Sequence, residues 1–279
     1  MLGAIAGDII GSPYEFNRNN IKTTDFPLFS KRSRFTDDTV MTLAVAQAIM
    51  RVMPERGGVP DKNAFADAVI DSMHELGHAY PKAGYGSKFV MWLSKRSREP
   101  YGSIGNGSAM RVSPVAWAFD DLENVEVFAG ISAMVTHNHP DGIKGAQAAA
   151  AAIFLANAGN TKQQIRDFIT ERYAYDLSRT LDEIRPSYKF DATCPGSVPE
   201  AITAFLEGNS YEDTVRKAVS IGGDSDTIAC IAGAIAEGFY GKLPKEIALE
   251  TLARLDEDMC GILSQWYEWM EGESRCSVQ

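Results

Sequence analysis

Apolar positions along this chain recur at the helical period, and no alternating run with hairpin turns competes with them. Over residues 39–53, Val40, Leu43, Ala44, Ala48 and Ile49 fall at helical spacing, and Pro54 with the Gly57-Gly58 pair ends the run. Residues 63–78 repeat the pattern through Phe65, Val69, Ile70, Met73 and Leu76. Pro140 suits a first helical turn and opens a helix over 141–158, whose alanines suit close packing against neighbours. The same reading predicts helices over 162–173, 199–207, 211–221, 226–240, 244–255 and 258–270. The expected fold class is all-α. Gly, Pro and polar residues gather at 11–34, 80–87, 101–111, 135–142 and 187–198, loops on which binding residues are expected. No internal repeat or low-complexity linker divides the chain, so one domain over 1–279 is expected, with a division near Gly159 as the alternative.

Composition narrows the function classes. A chain of 279 residues, 45% apolar and 23% charged, is that of an ordinary globule with a substantial core. The net charge of −10, with no basic block, disfavours nucleic acid and anionic membrane surfaces as partners. The N-terminal run has no basic segment and meets Asp8 at once, unlike a secretory leader, and the alanine-rich stretch at 146–158 is too short to cross a bilayer. Cys194, Cys230, Cys260 and Cys276 are widely spaced with no Cys-x-x-Cys, so free thiols and a cytoplasmic location are expected.

The candidate chemistry sits in two acidic clusters, Phe35-Thr36-Asp37-Asp38-Thr39 and Gly222-Gly223-Asp224-Ser225-Asp226-Thr227, each directly before a small-residue or apolar helical run. Carboxylates and hydroxyls at a helix N-terminus can cap free amides and are favoured by the helix dipole. Capping alone does not need this many acids. Two carboxylates about 4 Å apart repel by roughly 4 kcal/mol at an effective dielectric near 20, a penalty that a bound cation removes. With no His or Cys inside either cluster the donors are hard oxygens, suited to Mg²⁺, Mn²⁺ or Ca²⁺ and enough for two ions. His137 and His139 have a zinc-like spacing but no third nitrogen or sulfur ligand, and Asn138-His139-Pro140 reads as the turn that starts a helix. Gly102-Ser103-Ile104-Gly105-Asn106-Gly107-Ser108 is a small-residue loop whose amides could cradle a diphosphate, though on pattern alone such loops are more often plain turns.

Taken in order, Gly3-Ala4-Ile5-Ala6-Gly7-Asp8-Ile9-Ile10-Gly11-Ser12-Pro13-Tyr14-Glu15, the two acidic clusters, Gly105-Asn106-Gly107-Ser108-Ala109-Met110-Arg111 and Thr136-His137-Asn138-His139-Pro140 closely resemble the ADP-ribosylglycohydrolase family. The resemblance runs from Gly3 to about Gly241. It implies an all-α enzyme with two divalent cations, Mg²⁺ or Mn²⁺, that cleaves the bond between C1″ of ADP-ribose and a modified acceptor. By that analogy Thr36, Asp37, Asp38, Asp224, Asp226 and Thr227 are metal ligands, and Glu15 and Asp38 are catalytic, holding the attacking water. Gly102, Ser103, Ile104, Gly105, Asn106, Gly107 and His137 would bind substrate, an ADP-ribosylated protein or a small ADP-ribosyl conjugate. Some relatives carry an aromatic residue where this chain has Ile104, which leaves Tyr101 or Tyr85 as the adenine platform. Arginine and serine are both open as acceptors. A non-catalytic ADP-ribose-binding module or immunity protein, and a metal-dependent phosphohydrolase cutting the diphosphate, are the alternatives.

Overall fold

The computed structural model describes residues 1–272. In chain order its helices are α1 (Leu2–Gly11), α2 (Asp37–Val52), α3 (Lys62–Ala79), α4 (Ser87–Ser94), α5 (Gly107–Met110), α6 (Ser113–Ala118), α7 (Leu122–Met134) and α8 (Pro140–Asn157). They continue as α9 (Lys162–Tyr173), α10 (Leu181–Ile184), α11 (Cys194–Glu207), α12 (Tyr211–Ile221), α13 (Ser225–Tyr240), α14 (Lys245–Leu252) and α15 (Glu257–Glu271). Among the described residues the sole β feature is an isolated bridge between Gly105 and Thr193. The fold is all-α, as its periodicity predicts.

The centre is α13, buried without interruption from Ser225 to Glu237. Around it pack α1, α8, α11 and α12, and its contact with α1 is the most extensive of any helix pair. The reason is legible in residue size. Gly3, Gly7 and Gly11 recur every fourth position, which puts them along one face of α1. A Cβ on Gly3 would lie 2.6 Å from the Gly233 carbonyl oxygen, and one on Gly11 would lie 2.5 Å from that of Ser225. On Gly7 it would collide with the Ala229 carbonyl. Gly3, Gly7 and Gly11 therefore run against Gly233, Ala229 and Ser225 in reverse order, and the two backbones touch. As a result, the C-terminal end of α1 meets the N-terminal end of α13.

Several helices escape the periodicity argument. Nine of the ten residues of α1 are buried, so it has no polar face to reveal a period. The apolar residues of α7 are spread around its circumference, and α4, α5, α6 and α10 are too short for a repeat to register. Helix α11 begins at Cys194, ahead of the expected start at Pro199: the Thr193 side chain accepts from the Gly196 amide, Pro195 occupies the first turn and Pro199 is carried inside. Trp266 on α15 is core, whereas Tyr267 beside it is exposed. Cys194, Cys230 and Cys260 are free thiols; Cys276 lies outside the described residues. No helix among the described residues is long and apolar enough to cross a membrane.

Gly7→Ala is expected to cost about 1–3 kcal/mol by overpacking the α1–α13 contact. Gly261→Ala, inside α15 with no described residue within 4 Å of the new methyl, is expected to stabilise by about 0.5–1 kcal/mol through helix propensity. Urea melts of the two variants test this pair of opposite signs.

Candidate active site

Three helix ends converge where α1 meets α13. The first is the end of α1, which carries Asp8 and then, past a 3₁₀ turn over Ser12–Tyr14, Glu15. The second is the start of α2, with Thr36 as its cap and Asp37 and Asp38 in the first turn. The third is the start of α13, where Asp224 is the cap and Asp226 and Thr227 follow. Gly222 and Gly223, both at positive φ, turn the chain sharply into α13. Ser225 bonds to the Tyr14 carbonyl at 2.8 Å and the Phe16 amide to the Gly223 carbonyl at 2.9 Å, so the two segments are tied side by side.

The carboxylates fall into two groups. Oxygens of Asp8, Asp38 and Asp226 lie within 4.8 Å of one another, as do oxygens of Glu15, Asp224 and Asp226, which makes Asp226 common to both. Asp8 is fully buried and accepts from the Thr36 amide (2.9 Å), the Thr36 hydroxyl (2.7 Å), the Thr39 amide (3.1 Å) and the Thr39 hydroxyl. Asp38 Oδ2 accepts from the hydroxyls of Thr36 (3.3 Å) and Thr227 (3.2 Å), while its buried Oδ1 has no partner among the described residues. A buried carboxylate oxygen without a donor is costly, and a hard divalent cation is the partner that this donor set fits. Asn106 holds the other end, donating to Asp224 Oδ2 at 2.7 Å and to Ser197 at 2.9 Å.

Crowding these acids away from water disfavours their ionisation. Burial, then Asp224, raises Glu15 to about 7. Burial, then Asp8 and Asp224, raises Asp37 to about 8. Burial, opposed by the Asn106 hydrogen bond, leaves Asp224 at about 6. Asp38 and Asp226 are pushed well above the usual carboxylate range by burial and by neighbouring carboxylates.

The acids floor one part of a cleft of about 540 Å³. Glu15, Asp37, Asp38, Asp224, Asp226 and Thr227 line it, whereas Thr36 stands behind them, bonded to Asp8 and Asp38. Ser103, Gly105, Asn106, Gly107 and His137 also face the cleft. Gly102 and Ile104 are not among its lining residues: the Gly102 amide donates to Asn138 Oδ1 and the Ile104 side chain is exposed. The amides of Gly105 and Asn106 are also committed, to Ser103 Oγ and the Ala192 carbonyl. Both offered adenine platforms, Tyr85 and Tyr101, line the cleft. So do Phe16 and Phe190, stacked at 5.1 Å, which periodicity could not single out. His139 caps α8 by accepting from the Asp141 amide, as the turn reading requires.

The sequence model of ADP-ribosylglycohydrolase matches residues 1–273. The chain belongs to the ADP-ribosylglycohydrolase family. It is 27% identical to ADP-ribosylhydrolase ARH3 of Homo sapiens, over 86% of this chain and 84% of that protein. An uncharacterized protein of Archaeoglobus fulgidus is 29% identical over 86% of each chain. ADP-ribosylarginine hydrolase Tri1 of Pseudomonas putida is 25% identical over 86% of this chain and 69% of its own. A solved ADP-ribosylglycohydrolase-related protein complex shares the fold, with a TM-score of 0.63 over 96% of this chain and 95% of its own at 22% identity.

A carboxyl whose folded pKa is raised binds its proton more tightly in the fold. Without a cation its contribution is fully present at the acid side and is lost as pH rises from the unfolded values of 3.8–4.5 through the folded values of about 6, 7 and 8. Thermal melts should therefore show a stabilisation by Mn²⁺ or Mg²⁺ that is larger at about pH 8 than at about pH 5. An equal shift at both values would contradict the cation reading of the cluster.

Proposed function

We propose that this protein is a divalent-cation-dependent hydrolase that cleaves the C1″ glycosidic bond between ADP-ribose and an amino-acid side chain, arginine or serine, reversing mono-ADP-ribosylation. The observation that carries this reading is the pair of carboxylate groups sharing Asp226, at one end of a cleft in a chain of the ADP-ribosylglycohydrolase family. Two Mg²⁺ or Mn²⁺ ions would be held by Asp8, Asp38 and Asp226 on one side and by Glu15, Asp224 and Asp226 on the other, with Thr36, Asp37 and Thr227 contributing at the margins. When bound, such ions supply charge to hold ribose hydroxyls and to make water a better nucleophile near neutral pH.

The residues divide the remaining work. Asp8, Asp38 and Asp226 are buried, whereas Glu15 and Asp37 keep part of their surface in the cleft. Glu15, poised near neutrality, is suited to take a proton from the attacking water while Asp38 orients it. The water oxygen forms the new bond to C1″, the bond from C1″ to the acceptor nitrogen or oxygen breaks, and the proton that Glu15 takes from the water passes to the departing acceptor. Carboxylates around the anomeric carbon stabilise the positive charge that develops on the sugar. Asn106 keeps Asp224 turned toward this centre through its 2.7 Å bond.

Glu15→Gln and Asp226→Ala should each lower kcat by at least about 10²-fold without loss of helical circular dichroism. Product analysis on arginine- and serine-modified proteins should find intact ADP-ribose. AMP among the products, or binding of ADP-ribose with no release from either substrate, would contradict the assignment.

A further inference from the structure

Arg111 is 1% exposed and no carboxylate among the described residues accepts from it. Its Nη1 donates to the Gly107 carbonyl at 3.0 Å, and its Nη2 to the Ser132 carbonyl at 2.7 Å and to Thr136 Oγ1 at 2.9 Å. A guanidinium has only donors, so the Thr136 oxygen accepts in that bond. Thr136 keeps one hydroxyl proton, and His137 Nδ1 lies 2.7 Å from the same oxygen. If the hydroxyl donates to Nδ1, the ring proton must sit on Nε2. The opposite polarity would make Thr136 accept twice and turn a bare Nε2 lone pair toward the cleft, where an anionic oxygen would be repelled.

His137 Nε2 stands over the glycines of the Gly105-Asn106-Gly107 run. A Cβ on Gly105 would lie 3.4 Å from it and one on Gly107 3.1 Å, so a side chain at either position would crowd this nitrogen. Burial, with the Arg111 charge added, holds His137 well below the usual histidine range and hence neutral. With the amides of Gly102, Gly105 and Asn106 already spent inside the protein, the loop leaves much of the recognition of an anion to side chains.

We propose that Arg111 and Thr136 form a positioning relay that fixes His137 in its Nε2–H tautomer, so that a neutral donor backed by a buried positive charge meets a diphosphate oxygen of the substrate. The ligand in this proposal rests on the proposed function; the relay rests on the hydrogen bonds alone. Arg111 and Thr136 act through His137. They are positioning residues, and the ring is the group that touches substrate.

The chain has four histidines, few enough for long-range ¹H–¹⁵N correlation spectra to assign each ring's tautomer. The free wild-type protein should show His137 protonated at Nε2 alone. Thr136→Val should lose that single tautomer and bind ADP-ribose about tenfold more weakly in the presence of Mg²⁺, the scale of one charge-supported hydrogen bond, with Thr136→Ser restoring both. Wild-type His137 protonated at Nδ1, or Thr136→Val with unchanged tautomer and affinity, overturns the relay. If the valine variant does not fold, the wild-type spectrum and the serine variant still decide. An Nε2–H ring in a wild-type protein that takes up no ADP-ribose contradicts the proposed function and leaves the relay standing.

Discussion

The close approach of α1 and α13 is the constraint on which the rest of the molecule depends. Glycines at every fourth position of α1 let its backbone touch the Gly233, Ala229 and Ser225 side of α13. That contact fixes which helix ends meet, and both ends carry acids. Each carboxylate pair about 4 Å apart repels by roughly 4 kcal/mol at an effective dielectric near 20, so no attraction among the acids could assemble them. The hydrophobic core and the small-residue seam do so. Asp8 is the clearest product: an acid on an otherwise apolar helix, satisfied by two threonines of the α2 start. It behaves as the brace that aligns α2 with the α1–α13 pair.

The cleft above this seam is lined by groups of both signs. It gathers carboxylates that burial pushes toward protonation, a demand for cations. It also holds a buried guanidinium with no acid partner among the described residues and a neutral imidazole, a demand for an anion. A ligand carrying a diol for bound cations and a diphosphate for the cationic group answers both demands at once. ADP-ribose has both groups, which supports the proposed reading. The overall charge of −10 would repel such an anion at long range, so its recognition falls to local donors inside the cleft.

Much of this was legible in the sequence, and the boundary of legibility has physical causes. The long amphipathic runs at α3 and α12 declared themselves because one face is wet and the other dry. Helix α1 did not, since a helix buried all round shows no period, although its Gly-x-x-x-Gly-x-x-x-Gly spacing was present to be read as a packing seam. The two Asp-rich helix starts could be paired by chemistry. Asp8 stands within the first motif but outside the ligands that the resemblance implies, because one acid beside Gly7 carries no ligand pattern of its own. An ionisable group in so apolar a helix was the available signal. Asn106 lines the cleft and its side chain also donates to Asp224, a tertiary contact across 118 positions that no local pattern encodes. The Phe16–Phe190 stack is likewise a product of two distant loops.

The central claim is that the Asp8, Glu15, Asp38, Asp224 and Asp226 side chains converge to hold divalent cations that share Asp226. Anomalous scattering from crystals soaked in Mn²⁺ addresses it most directly. The account predicts two peaks flanking the Asp226 carboxylate, one bordered by Asp8 and Asp38 and the other by Glu15 and Asp224. Crystals of a folded, fully occupied protein with no peak in this cluster, or with peaks only elsewhere, would contradict it.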